Sequence, residues 1–265
     1  MTAGQAFLLV VAAFAAGVMN AMAGGGTILT FPALVLVGLP AIAANATSTV
    51  ALLPGTVASF LGYRDELREQ RHWFRRLLVP SLVGGAIGSV LLLRTPERTF
   101  ALLAPFLVLF ATLLFILQGL VSRRAKSGFV TAGSGDEPAS GRWALAALLQ
   151  LCVAIYGGYF GAGIGILMLA LLGWLGVANI HAANGLKNFF GFCINSVAAV
   201  YFIAQGAVVW PAALLVVIGA TVGGYSGARF ARRIGREKAR AAVVVIGLLV
   251  TAILFLQAVR PAAVG

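Results

Sequence analysis

The sequence predicts an all-α, polytopic integral membrane protein. It predicts two homologous repeats, inverted relative to each other, and about eight hydrophobic helices with broken or re-entrant segments among them. Three observations carry that expectation. Of 265 residues, 61% are hydrophobic and only 10% are charged, against about 25% charged in a soluble domain. The charges are banded. The chain also matches itself at one constant shift.

The banding is read directly. No Asp, Glu, Lys, Arg or His occurs from Met1 to Tyr63. From Trp143 to Ala228 the only ionisable side chains of these types are His181 and Lys187. The other charges gather in Arg64–Arg76, Arg94–Arg98, Arg123–Arg142, Arg229–Arg240 and Arg260. The net charge of +12 could suggest a nucleic-acid partner. Its confinement to short bands between apolar stretches reads instead as membrane-flanking anchors. The expected partners are therefore the lipid bilayer and a small anion, with no nucleic acid. Association with further copies of the chain is compatible with this composition.

The elements follow in order. Gln5–Ala23 is apolar, and its Ala21-Met22-Ala23 resembles a signal-peptide cleavage site. The basic leader of a signal peptide is missing, so the segment reads as part of the fold. Gly24-Gly25-Gly26 interrupts it. Thr27–Val37 would be about 17 Å of helix, too short for a core of about 30 Å, so a re-entrant hairpin is expected. Ala41–Leu61 follows as a full span. Leu77–Leu93 and Thr99–Val121 are single spans, and the first carries the Gly84/Gly88 pair, read as close helix packing. The second half repeats this plan, with Pro211–Ala228 and Ala241–Val259 as its simplest spans.

The self-match sits at a shift of 139 positions. Gly24 falls on Gly163, Gly26 on Gly165, Asn45 on Asn184 and Gly88 on Gly227. Val83-Gly84-Gly85 falls on Val222-Gly223-Gly224, and Thr112 and Gln118 fall on Thr251 and Gln257. The expected organisation is an N-terminal transmembrane repeat over 1–121, a polar linker over 122–142 and a C-terminal repeat over 143–265. The positive-inside rule then tests orientation. With Arg64–Arg76 cytoplasmic, Arg94–Arg98 lies outside, and the basic linker and Arg229–Arg240 lie inside. Arg229–Arg240 is the mate of Arg94–Arg98, so matched loops prefer opposite sides, as in inverted-repeat transporters.

The chemistry is expected at two places. Broken helices at Gly24/Gly25 and Gly163 would leave backbone N–H groups at half-helix N-termini, which bind anions. Matching breaks in two repeats point to a transport site. Asn184, Lys187, Asn188, Gly191 and Asn195 follow helical spacing on one face, with His181 one turn earlier. Their mates are Asn45, Ser48, Thr49, Leu52 and Thr56. Lys187 stands alone in an apolar stretch, where a charge costs about 2.5–3.5 kcal/mol on insertion scales and marks function. The alternative is that it snorkels to an interface; for His181 the alternative is a helix-end residue. Cys152 and Cys193 read as small buried hydrophobes. No catalytic constellation, metal-ligand set or cofactor motif stands out.

The run Gly24–Leu34 (GGGTILTFPAL) resembles the N-terminal signature of the TauE/SafE sulfite exporter family. So does Ala44-Asn45-Ala46-Thr47-Ser48-Thr49. Gly157–Gly165 (GGYFGAGIG) and Asn184-Gly185-Leu186-Lys187-Asn188 resemble its paired second motifs. The resemblance covers essentially the whole chain. It implies a permease for sulfur-containing anions, sulfite or organosulfonates, in the bacterial inner membrane. Asn45, Thr47, Ser48, Asn184, Lys187, Asn188, Gly24, Gly25, Gly163 and His181 are the candidate substrate contacts. The competing readings are a permease for another small anion or carboxylate, and a membrane scaffold without transport. No enzyme activity is expected.

Overall fold

A computed structural model describes residues 1–22, 25–61, 71–125, 140–177, 180–234 and 236–259. Among them are ten helices and no strand. In chain order they are α1 (Ala3–Met22), α2 (Thr27–Leu36), α3 (Ala41–Leu61), α4 (Arg71–Arg94), α5 (Glu97–Ala125), α6 (Ser140–Tyr159), α7 (Ile164–Trp174), α8 (Ile180–Ala204), α9 (Trp210–Ile234) and α10 (Arg236–Val259). Helix is what such a sequence must form in lipid, where no water satisfies a free N–H or C=O. Ala3–Asn20, Trp73–Arg94, Glu97–Gln118 and Ala182–Ala204 are long and apolar enough to span a bilayer. Shorter apolar helices accompany them, so the protein is multi-pass. The ten helices described agree with about eight hydrophobic helices with broken segments, each glycine-rich interruption separating two helices.

At the shift of 139, each of the first five helices overlaps one of the last five. Helix α1 matches α6, α2 matches α7, and so on to α5 and α10. The contacts give the directions. Gln5 Nε2 donates to Val37 O at 3.2 Å, so α2 returns toward the end where α1 starts. The Glu97 carboxylate accepts the Ala41 N–H, which brings the starts of α3 and α5 together. Helix α1 runs parallel to α9: a Cβ at Gly219 would meet Val10 and Ala13, and one at Gly17 would meet Ala220. Helix α4 runs parallel to α6, with Trp73 on Trp143 (4.9 Å between ring centroids) and Gln150 Nε2 donating to Ser81 Oγ at 2.8 Å. These pairs, α1 with α9 and α4 with α6, are mates of each other. Helices α5 and α10, also mates, run antiparallel, since Phe106 meets Phe255 while Thr112 meets Gly247. Matched helices thus run in opposite directions, and the second repeat is inverted relative to the first.

Close packing explains the small residues. A Cβ at Gly223 would strike the Phe14 carbonyl, and one at Gly88 the Ile155 carbonyl. Backbones that near exclude any side chain. Phe7, Phe106, Leu117, Val200 and Leu256 stay exposed on the outer surface, where lipid is the apolar solvent.

Two details differ from the sequence reading. Helix α5 continues to Ala125 and α6 begins at Ser140. Both enter the expected linker, because nothing stops a helix where it leaves the bilayer and Arg is a good helix former. The stretch 126–139 lies outside the described residues. Cys193 is buried as expected, but Cys152 is exposed, on the face of α6 turned away from α4.

Candidate functional site

Each repeat breaks its first transmembrane arm with glycine. In the first, α1 ends at Met22 and α2 starts at Thr27, and Gly25 takes φ +93°. Gly24 lies outside the described residues. Asn20 Oδ1 accepts the Gly26 N–H at 2.7 Å and holds the turn. In the second, Gly163 precedes α7 with φ +78°, a conformation that only glycine adopts cheaply. Phe160 and Gly161 N–H both donate to Tyr156 O, at 2.9 and 3.2 Å. The Tyr156 hydroxyl donates to Ala162 O at 2.7 Å. The break is therefore a built turn rather than loose chain.

The two breaks come together. The Phe31 ring of α2 packs on Phe160 with centroids 5.3 Å apart. A Cβ at Gly25 would touch Phe115, and one at Gly163 would touch Ala111 and Leu114. One stretch of α5 therefore backs both turns. Helices α3 and α8, which carry the polar stripes, pack against each other.

The stripes are used differently. On α3, Asn45, Thr47 and Ser48 are almost wholly buried, at 1%, 0% and 0% exposure. Asn45 Nδ2 donates to Tyr159 O at 3.0 Å. Thr47 Oγ1 accepts the Val209 N–H at 3.0 Å. Ser48 shares a 2.6 Å hydrogen bond with Thr30. On α8, Asn184, Lys187 and Asn188 are half-buried. Lys187 Nζ donates to Asn184 Oδ1 at 3.2 Å. Its aliphatic stem lies over the first turn of α7: Lys187 Cδ is 3.2 Å from where a Gly165 Cβ would stand. His181 lies in the first turn of α8, with its side chain outside the described part.

The electrostatics follow from this placement. Helix α7 begins without a side-chain cap; Ile164 and Ile166 N–H donate to Gly161 O and Gly163 O, and the start of the helix remains the positive end of its dipole. The Lys187 stem crosses that turn, adding a full positive charge to the same region. The apolar stretches contain no Asp or Glu to neutralise it. Two positive groups with no ion pair among the described residues suit an anion. No group of His, Cys, Asp and Glu able to hold a metal occurs among the described residues.

The structure also brings in residues the sequence reading passed over. Asn20, Thr30, Tyr156 and Gly165 all shape the breaks or fix the stripes. Gly165 had a signal, being the mate of Gly26. Thr30 and Tyr156 had none, because their mates are Leu169 and Gly17.

The chain matches the family described as sulfite exporter TauE/SafE over residues 9–254. It is 26% identical over 245 residues to a probable membrane transporter protein of Haemophilus influenzae, covering 90% of each chain. It is 28% identical to the probable membrane transporter protein ORF9 of a Sinorhizobium species, covering 91% of this chain and 88% of that one. It is 24% identical to the probable membrane transporter protein YfcA of Escherichia coli K12, covering 91% and 86%. No solved structure matches it significantly. Inverted repeats, paired glycine breaks and a match along almost the whole chain converge on one assignment: this is a membrane transporter of the TauE/SafE sulfite exporter family.

Proposed function

We propose that the protein exports a small sulfur-containing anion, sulfite or an organosulfonate, across the bacterial inner membrane. The units are the repeats 1–121 and 143–265, with 122–142 joining them. The substrate sits between them at the α6–α7 break. The observation that carries this reading is Lys187, laid over the first turn of α7 in a stretch with no acid. Lys187 and the positive end of α7 after Gly163 hold the anion. Asn184 and Asn188 complete the half-buried side of the site, and His181 begins the same stripe. Asn45, Thr47, Ser48 and Gly25 form the opposite wall. In this reading Arg64–Arg76 and Arg229–Arg240 are cytoplasmic.

The membrane potential favours outward movement. It acts with about 2.3 kcal/mol per charge per 100 mV, so a leaving dianion gains about 4.6 kcal/mol at that potential. That sustains a gradient of roughly two thousandfold at about 1.4 kcal/mol per decade.

Proteoliposomes loaded with sulfite, a short-chain sulfonate, sulfate or a carboxylate test the proposal. Potential-driven efflux of the first two, above the others, is the expected result. Preference for a carboxylate would move the substrate class. No flux of any anion would favour a scaffold. Cross-linking in membranes would report association between copies.

A further inference from the structure

The two repeats treat the same asparagine differently. Asn45 and Asn184 are mates, as are Ser48 and Lys187. In the second repeat, Asn184 Oδ1 accepts from the Lys187 ammonium at 3.2 Å. In the first, the Ser48 hydroxyl turns away to Thr30 at 2.6 Å. Asn45 Nδ2 donates to Tyr159 O. A backbone carbonyl can only accept, so the carboxamide atom facing Tyr159 O is the NH₂ and the other is the oxygen. That oxygen, Asn45 Oδ1, is fully buried and has no hydrogen-bond partner. A buried acceptor left in that condition calls for an explanation.

Tyr159 ends α6, so the neighbouring carbonyls form the negative pole of that helix. Asn195 Oδ1 lies 3.8 Å from where a Gly161 Cβ would stand, a second amide oxygen at the same turn. Carbonyl oxygens at a helix C-terminus and in unwound chain disfavour an anion and suit a small cation. Among the described residues the Glu97 carboxylate is taken up by the Ala41 and Ile42 N–H groups one turn earlier on α3, so the site offers neutral oxygens and fits a monovalent ion better than Mg²⁺ or Ca²⁺, which draw on acidic ligands.

We propose that a sodium ion binds at Asn45 Oδ1 beside the C-terminal carbonyls of α6. It takes the place that the Lys187 ammonium takes beside Asn184 in the other repeat. The α6–α7 break then has two poles, a carbonyl end for the cation and an amide end for the anion. This rests on the break being the transport site, as proposed above, but not on the identity of the anion. Sodium bound there places a fixed positive charge in the break, and the proposal concerns its binding, not a part in moving the anion.

The test is thermal unfolding of the purified protein in sodium, lithium, potassium and choline chloride at equal ionic strength, with no sulfur anion. Sodium should raise the Tm saturably over choline, since a ligand bound only to the folded state stabilises it. Asn45→Val should lose that response. Ser48→Lys supplies a tethered ammonium, and should unfold at the same temperature in sodium and choline. Lys187→Met should keep the sodium response, so failure of the anion reading and of this one are read separately. A wild-type Tm indifferent to sodium overturns the proposal even if neither variant folds. So does a sodium response that survives in folded Asn45→Val or Ser48→Lys.

Discussion

Replacing Lys187 by Met separates function from stability, because the two should move in opposite directions. Methionine keeps the length of the stem that lies over Gly165 and removes only the ammonium. A hydrogen bond to a charged group contributes about 1.5–3 kcal/mol. Losing one to the bound anion should weaken affinity roughly 10- to 150-fold at about 1.4 kcal/mol per decade. Against this, a lysine within the apolar span Ala182–Ala204 carries a cost of up to the about 2.5–3.5 kcal/mol of a span centre on insertion scales, and the group it donates to is a neutral amide, Asn184. The folded variant should therefore be at least as stable as wild type. The assay is anion flux over a concentration series in proteoliposomes, paired with thermal unfolding of the same preparation. Unchanged half-saturation with unchanged flux would refute the argument. So would a lowered Tm, which would mean that the ammonium holds the structure together.

Other consequences are local. Gly165→Val places a branched side chain against Lys187 Cδ and should push the ammonium off the α7 turn, lowering apparent anion affinity several-fold with normal membrane insertion. Gly88→Leu and Gly223→Leu drive side chains into facing backbone and should cost at least the ~1–3 kcal/mol of overpacking, whereas Gly173→Ala, with open space around it, should be neutral in the same unfolding assay. Glu97→Ala removes the carboxylate that accepts the Ala41 and Ile42 N–H groups at the start of α3. A lost N-terminal cap costs about 1 kcal/mol, and a thermal shift of that size, with flux retained, is expected.

The large pattern was legible because it is written in local chemistry. The glycine clusters named both helix breaks, since a reversed chain at φ near +80° tolerates little else. The constant shift of 139 exposed the repeat. The basic bands anticipated the inversion: the helix ends at Leu61 and Arg71, Ala125 and Ser140, and Ile234 and Arg236, next to the three most basic bands, all lie at one end of the bundle. The condition of the stripes was not legible. Asn45, Thr47 and Ser48 read as candidate substrate contacts. Yet Asn45 and Thr47 are engaged by Tyr159 and Val209, 114 and 162 residues away in sequence. Such partners leave no local trace. Cys152 was misplaced for a related reason: in a membrane protein an apolar segment has a lipid face as well as a core face, and composition does not distinguish them.

The sequence alone therefore determined the solvent, the repeat and the break points, because hydropathy, glycine and charge act over a few residues. Only the tertiary structure decided what the polar side chains inside the membrane are for. It laid the Lys187 stem over α7 and set Asn184 against its ammonium, and it left Asn45 Oδ1 buried beside the end of α6. Those roles depend on which helix crosses which, and that is fixed by two inverted halves packing into each other.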